Sequence, residues 1–159
     1  MRIRLFQVED TDQLNQIAVE AFSQFEHHYS DWQSLITAVG NMANLAQSAH
    51  LFVAEDDGKI VGGVALVPPN DNPNSHFDKT WTAIRMLVVS PEYRGKGIGK
   101  ALTHTCLDHA KQSDVKTIGL HTSPIMEVAL AMYQRMGFEK FKDIDPIFGV
   151  EYGVYKLEL

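Results

Sequence analysis

The stretch Val88-Val89-Ser90-Pro91-Glu92-Tyr93-Arg94-Gly95-Lys96-Gly97-Ile98-Gly99-Lys100 gathers the residue types most able to do chemistry in this chain. An apolar run from Ile84 to Val89 stops at Ser90-Pro91, a dipeptide that pushes its first residue out of the helical region. Three glycines at alternate positions follow, and a helical pattern begins at Ile98. A glycine-rich turn between a strand and a helix exposes backbone N–H groups at the helix's positive end, where phosphate oxygens bind. The dinucleotide spacing G-x-G-x-x-G is absent, because Gly95, Gly97 and Gly99 run G-x-G-x-G. A Walker A loop is absent too: Gly99-Lys100 is followed by Ala101, where a metal-binding Ser or Thr is required. What stands is Arg94-x-x-Gly97-x-Gly99; its plain alternative is a flexible turn with solvated Arg and Lys. Other chemistries lack support. The seven histidines form no H-E-x-x-H, the one cysteine, Cys106, has no partner, and no G-x-S-x-G occurs. No metal site is expected.

The elements around this stretch follow from periodicity. Arg2 to Val8 reads as a strand. Thr11 or Asp12 can cap a helix with Leu14, Ile17, Ala18, Ala21 and Phe22 on one face, and a second helix repeats the pattern with Trp32, Leu35, Ile36, Val39, Met42 and Ala43. Between them Glu26-His27-His28-Tyr29 reads as a loop. Leu51–Ala54 and Lys59–Val67 are strands joined through Asp57-Gly58, a strong hairpin signal, and Gly62-Gly63 suggests a bulge or a close backbone approach. Pro68 to Lys79 is a loop, and Trp81 to Val89 a long strand. After the glycine turn a helix places Ile98, Ala101, Leu102, Thr105 and Ala110 on one side. Lys116–His121 is a strand. Ser123 can cap a helix with Pro124 at its first position, Ile125, Val128, Ala129, Met132 and Met136 inward, and a stop at Gly137. Phe138–Phe141 and Glu151–Leu159 are the last strands. The expected fold is α/β, a mixed sheet flanked by helices, in one domain spanning 1–159.

At 159 residues the chain is long enough for a real core, and 45% apolar with 21% charged residues is an ordinary globular composition. Fourteen Lys and Arg against 20 Asp and Glu give a net charge of −6, which disfavours sequence-independent nucleic-acid binding. One cysteine excludes an internal disulfide. The N-terminus has no apolar signal core, and no segment is long enough to span a bilayer, so no membrane partner and a cytoplasmic location are expected.

The glycine turn after a buried strand, the Asp57-Gly58 hairpin and the ending Tyr133-x-x-x-Gly137-Phe138 occur in the order seen in the GNAT acetyltransferases, which this chain resembles over nearly its whole length. The resemblance implies a sheet of about seven strands with about four helices, and a fork between two central strands that holds acetyl-CoA. Carried over by position, the backbone of Leu87, Val88 and Val89 pairs with pantetheine. Arg94, Gly95, Lys96, Gly97, Ile98, Gly99 and Lys100 receive the pyrophosphate, and Tyr133 protonates the departing thiolate. The family's strand glutamate before the loop is replaced by Ala83, so His121 stands as candidate base, with a structural role as its equal alternative. Met126 occupies the place of a cofactor-binding asparagine. The resemblance implies acetyl transfer from acetyl-CoA to a primary amine on a small molecule or peptide, by direct attack. A homodimer is left open. A non-catalytic CoA-binding domain on the same fold is the alternative, distinguished by a blocked acceptor pocket, and a phosphate binder unrelated to CoA is a third. The acceptor is expected to meet Trp81, Arg85, His28 and Tyr29, with Glu26, His27, His76, Asp78 and His121 nearby. Strand alternation puts Trp81, Ala83, Arg85 and Leu87 on one face. Arg85 then either forms an internal salt bridge, to Glu26 or another acid, or binds an anionic group of the acceptor.

Overall fold

A computed structural model describes residues 1–159. Seven strands form one sheet: β1 (Arg2–Leu5), β2 (His50–Asp56), β3 (Lys59–Val67), β4 (Thr82–Val89), β5 (Thr117–Thr122), β6 (Glu139–Ile147) and β7 (Val150–Glu158). Their order across it is β1-β2-β3-β4-β5-β7-β6, with β4 and β5 as the one parallel pair. Helices α1 (Thr11–Phe22), α2 (Trp32–Val39), α3 (Ile98–Lys111) and α4 (Glu127–Arg135) cover the faces. Strand alternation divides the core in two. Leu51 and Val53 pack with α1 and α2, while Phe52 and Ala54 pack with α3 and Tyr133 of α4.

The hairpin forms as read, with Asp57 at φ 53° and Gly58 at φ 76°, the left-handed pair that a two-residue turn needs. The paired glycines are the close approach expected. A Cβ on Gly62 would stand 3.0 Å from the Val88 carbonyl oxygen and 3.2 Å from side chains of Ile98 and Leu102. One on Gly63 would stand 2.6 Å from Leu14. Gly137 ends α4 at φ 100°.

Several boundaries differ from the reading above, each for a local reason. α1 begins after Asp10, whose carboxylate is taken by Arg4 (2.8 and 2.9 Å) and by the Gln7 N–H instead of capping the helix. Residues Ser23–His28 are not open loop but 3₁₀ turns. The second helix breaks at Gly40, and Met42–Gln47 continues as 3₁₀ turns that still bury Met42 and Ala43. In α3 the buried stripe is Ile98, Leu102, Thr103, Cys106, Leu107 and Ala110, with Ala101 and Thr105 at its margin. α4 starts at Glu127 rather than after Ser123, because Ser123 is buried and bonds the Ile125 N–H in a turn; Val128 therefore faces solvent. β6 runs on to Ile147, past Pro146, which an edge strand tolerates.

Two irregularities decide the function-bearing middle of the sheet. β4 and β5 pair only through Thr82 with Ile118 and Ala83 with Gly119, and beyond that they separate. In β4, Met86 adopts φ 56° and two residues, Met86 and Leu87, oppose the single Val64. Arg85 and Met86 consequently turn to the same side, and Leu87 packs with Ile84 and Val89 on the α3 side. The expectation that Leu87 shares a face with Arg85 is thus corrected by the bulge. Substituting Gly62→Val is expected to cost about 1–3 kcal/mol through overpacking. Thermal unfolding of the purified variant checks it.

Candidate functional site

The chain from Ser90 to Lys100 folds as a short 3₁₀ turn (Pro91–Tyr93) followed by an exposed loop into α3. Gly95 and Gly97 take φ 78° and 81°, conformations that a side chain would strain, and Gly97 precedes the first helical residue. The first bond of α3 runs from the Ala101 N–H to the Gly97 oxygen, so the N–H groups from Gly95 to Lys100 have no acceptor within the chain. They form a run of donors at the positive end of a 14-residue helix. Gly99 is already helical, and a Cβ there would make only ordinary contacts with Val89 and Leu87. Of the three cations, Arg94 reaches the Ala21 carbonyl at the end of α1 (3.4 Å), and Lys96 lies 4.9 Å from the centre of the Tyr93 ring. Lys100 is exposed.

A cleft of about 610 Å³ opens on the α1/α2 side of the sheet. Its floor is Trp81, Ala83, Arg85 and Met86. The Pro68–Lys79 loop walls one side, and α2 with the following 3₁₀ turns walls the other through Leu35, Val39, Met42 and Leu45. Phe77 pins the loop down. Its ring stacks on His121 at 6.0 Å and packs over the bare Cα of Gly119, where a Cβ would be 3.0 Å away. The structure therefore brings Trp81, Arg85, His121, His76 and Asp78 together, as anticipated. It does not bring the Glu26–Tyr29 segment there. His28 sits over a separate shallow hollow with Ile125 and Glu151, and Tyr29 is buried in the core, hydrogen-bonded through its hydroxyl to that of Tyr152. Tyr152, which does line the cleft, escaped sequence reading. Its position in the alternation of β7 was the available signal.

Arg85 is exposed to the cleft, not buried, and no carboxylate lies within 4.0 Å of it, which removes the internal salt bridge to Glu26 or another acid. His121 lies among Phe77, His76 and Tyr152, and its Nδ1 is buried without a hydrogen-bond partner. Burial foremost, then the charges of Arg85 and His76, push its pKa down to about 4, well below the ordinary histidine value of 6.5. The ring is neutral at physiological pH. Tyr133 is buried in the α3/α4 half of the core, edge-on to Phe138 at 5.7 Å, and is not a surface tyrosine. Burial and the neighbouring Cys106 raise its pKa above the ordinary phenol value, so it remains protonated. Cys106 is fully buried, and burial drives its thiol up to about 12, consistent with a packing residue. No group of three or more His, Cys, Asp or Glu side chains could hold a metal ion, and no helix is long and apolar enough to cross a membrane.

Residues 11–138 match the model of the acetyltransferase (GNAT) family. N-acetyltransferase 8B of Mus musculus is 38% identical over 92 residues, which are 58% of this chain and 38% of that protein. Probable N-acetyltransferase family 8 member 5 of Mus musculus is 33% identical over 110 residues, 68% of this chain and 47% of the relative. The match thus spans less than half the length of these relatives. In fold the chain is similar to the PaiA N-acetyltransferase of Thermoplasma acidophilum solved in complex with coenzyme A (TM-score 0.79, 20% identity, 99% of this chain and 98% of that one). It is also similar to the ribosomal-protein-alanine N-acetyltransferase of Brucella melitensis (TM-score 0.73, 18% identity, 100% of both).

The titration of His121 has a measurable consequence. The unfolded chain protonates this ring near 6.5 and the folded protein only near 4. Its contribution is therefore complete above pH 6.5, and stability falls by about 3 kcal/mol as pH drops through that window. Nuclear magnetic resonance of the ring should show the neutral form down to about pH 5. In Arg85→Ala the titration should move back upward, though not to its ordinary position, since burial is the larger cause.

Proposed function

The chain belongs to the GNAT acetyltransferase family, and from that premise we propose that it transfers the acetyl group of acetyl-CoA to a primary amine held in the cleft. The observation that carries this reading is the pairing of the two features on one strand. β4 ends in a turn whose N–H groups from Gly95 to Lys100 are free to bind phosphate, and it begins at the floor of an open cleft. An open cleft favours an enzyme over a CoA-binding domain without catalysis. In this reading the pyrophosphate meets the free N–H groups, with Arg94, Lys96 and Lys100 supplying positive charge. The pantetheine runs along Leu87, Val88 and Val89, where β4 no longer has β5 as a partner. Coenzyme A in the Thermoplasma acidophilum structure, and acetyl-CoA in a Brucella melitensis GNAT acetyltransferase of TM-score 0.67, are consistent with that ligand.

The chemistry asks three things of the protein. The amine must be neutral and aimed, its nitrogen must reach the thioester carbonyl carbon, and the sulfur must leave with a proton. Neutral His121 accepts a proton from the amine. A base near 4 draws a proton from a free ammonium only weakly, so the amine must enter neutral. His121 takes its proton as the C–N bond forms, when attack on the carbonyl makes the nitrogen far more acidic. Tyr133 gives its proton to the sulfur as the C–S bond breaks. Burial makes this phenol a weaker acid than in water, so it gives up its proton only as negative charge develops on the departing sulfur.

Two variants test the reading. Gly97→Val forces a branched side chain into a left-handed turn, at a cost of about 1–2 kcal/mol; CoA affinity by calorimetry should fall roughly tenfold or more, and undiminished affinity in the folded protein defeats the assignment. Tyr133→Phe keeps the ring and removes the proton. Turnover should fall by ~100-fold to ~10,000-fold with CoA binding nearly unchanged.

A further inference from the structure

Besides the phenol of Tyr152, the cleft presents four ionisable side chains, His76, Asp78, Arg85 and His121. Asp78 is occupied within its own loop: Oδ1 accepts the Thr80 N–H at 2.8 Å and the Thr80 hydroxyl at 2.6 Å, which hold its carboxyl below the usual range. His121 is neutral. Arg85 is thus the one cation of the floor without an anion, in a chain with 20 acids against 14 bases. Strand alternation turns it into the cleft with Trp81 and Ala83, and the bulge adds Met86 beside it, in a cleft whose apolar wall is Leu35, Val39, Met42 and Leu45. A guanidinium in such a setting matches a planar carboxylate through two parallel N–H bonds. Arg85 and His121 line the same cleft, so a carboxylate held by Arg85 leaves an amine on the adjacent carbon in the cleft that also holds His121.

We propose that Arg85 binds the carboxylate of the acceptor, and that the acceptor is an α-amino acid with an apolar side chain laid against the α2 wall. This deepens the acetyl-transfer reading and rests on it. The bond made is between the acceptor nitrogen and the acetyl carbon, the bond broken is carbon to sulfur, and the products are an N-acetyl amino acid and CoA thiol.

The test compares matched acceptors, phenylalanine with phenethylamine and leucine with isopentylamine, following thiol release from acetyl-CoA. Each amino acid should exceed its decarboxylated partner in kcat/KM by about tenfold or more. In Arg85→Ala the ratio should fall to about one, with the loss in the amino acid's KM and with an unchanged melting temperature. Arg85→Lys should recover part of it. Equal kcat/KM within each pair, or a ratio that survives Arg85→Ala, overturns the assignment of Arg85 alone, as does release with peptides but not free amino acids. Thiol release with no acceptor, in protein that binds CoA, overturns the acetyl-transfer reading as well.

Discussion

The structure depends on the parting of its two parallel strands. β4 and β5 share a ladder only at Thr82–Ala83 and Ile118–Gly119, and every other strand pair is antiparallel. Each half of the sheet is complete without the other: β4 is held by β3, and β5 by β7 over six residues. The separation therefore costs few hydrogen bonds within the protein. It leaves backbone groups along one edge of β4 that need a partner, and an edge of that kind is a place where an extended ligand can add itself.

Both features that bracket the fork are tied to β4. At one end the strand stops at Ser90-Pro91 and the chain turns into α3 through residues whose N–H groups face no carbonyl. At the other end the floor of the cleft is made by Trp81, Ala83, Arg85 and Met86. The bulge at Met86 joins the two. A non-glycine residue at positive φ is unfavourable and persists only where packing enforces it. Here Val64 opposes two residues, so the strand changes phase between the cleft and the fork. That phase change lets Val88 stay in the α1/α2 half of the core while Leu87 and Val89 lie toward α3.

Charge is distributed sparingly. The Arg4–Asp10–Glu55 network, with Arg2 on Glu55, ties β1 to β2 and to the start of α1, away from the cleft. The cleft keeps one unpaired guanidinium, and near it a histidine whose protonation is opposed by burial and by like charge. The phenol of Tyr133 lies in the other half of the core and stays protonated by burial. Burial is the larger cause in both places: it keeps the histidine neutral and the phenol protonated.

Much of this was legible in the residues themselves. Asp57-Gly58 can only be a tight turn, Ser90-Pro91 ends a strand, and Gly137 ends a helix, because each depends on the backbone preferences of one or two residues. The order of elements and the glycine turn before α3 follow from the same local rules. What only the tertiary structure decided is set by neighbours distant in sequence. The Met86 bulge arises from pairing with Val64, and no local pattern marks it. Tyr29 looked like a loop residue until Tyr152, 123 positions away, gave its hydroxyl a buried partner. His121 could be named as a titrating residue from its type alone, but its shift to about 4 comes from burial and from the charges of Arg85 and His76. Burial and charge are sums over everything that surrounds a side chain, and those sums exist only once the chain has folded.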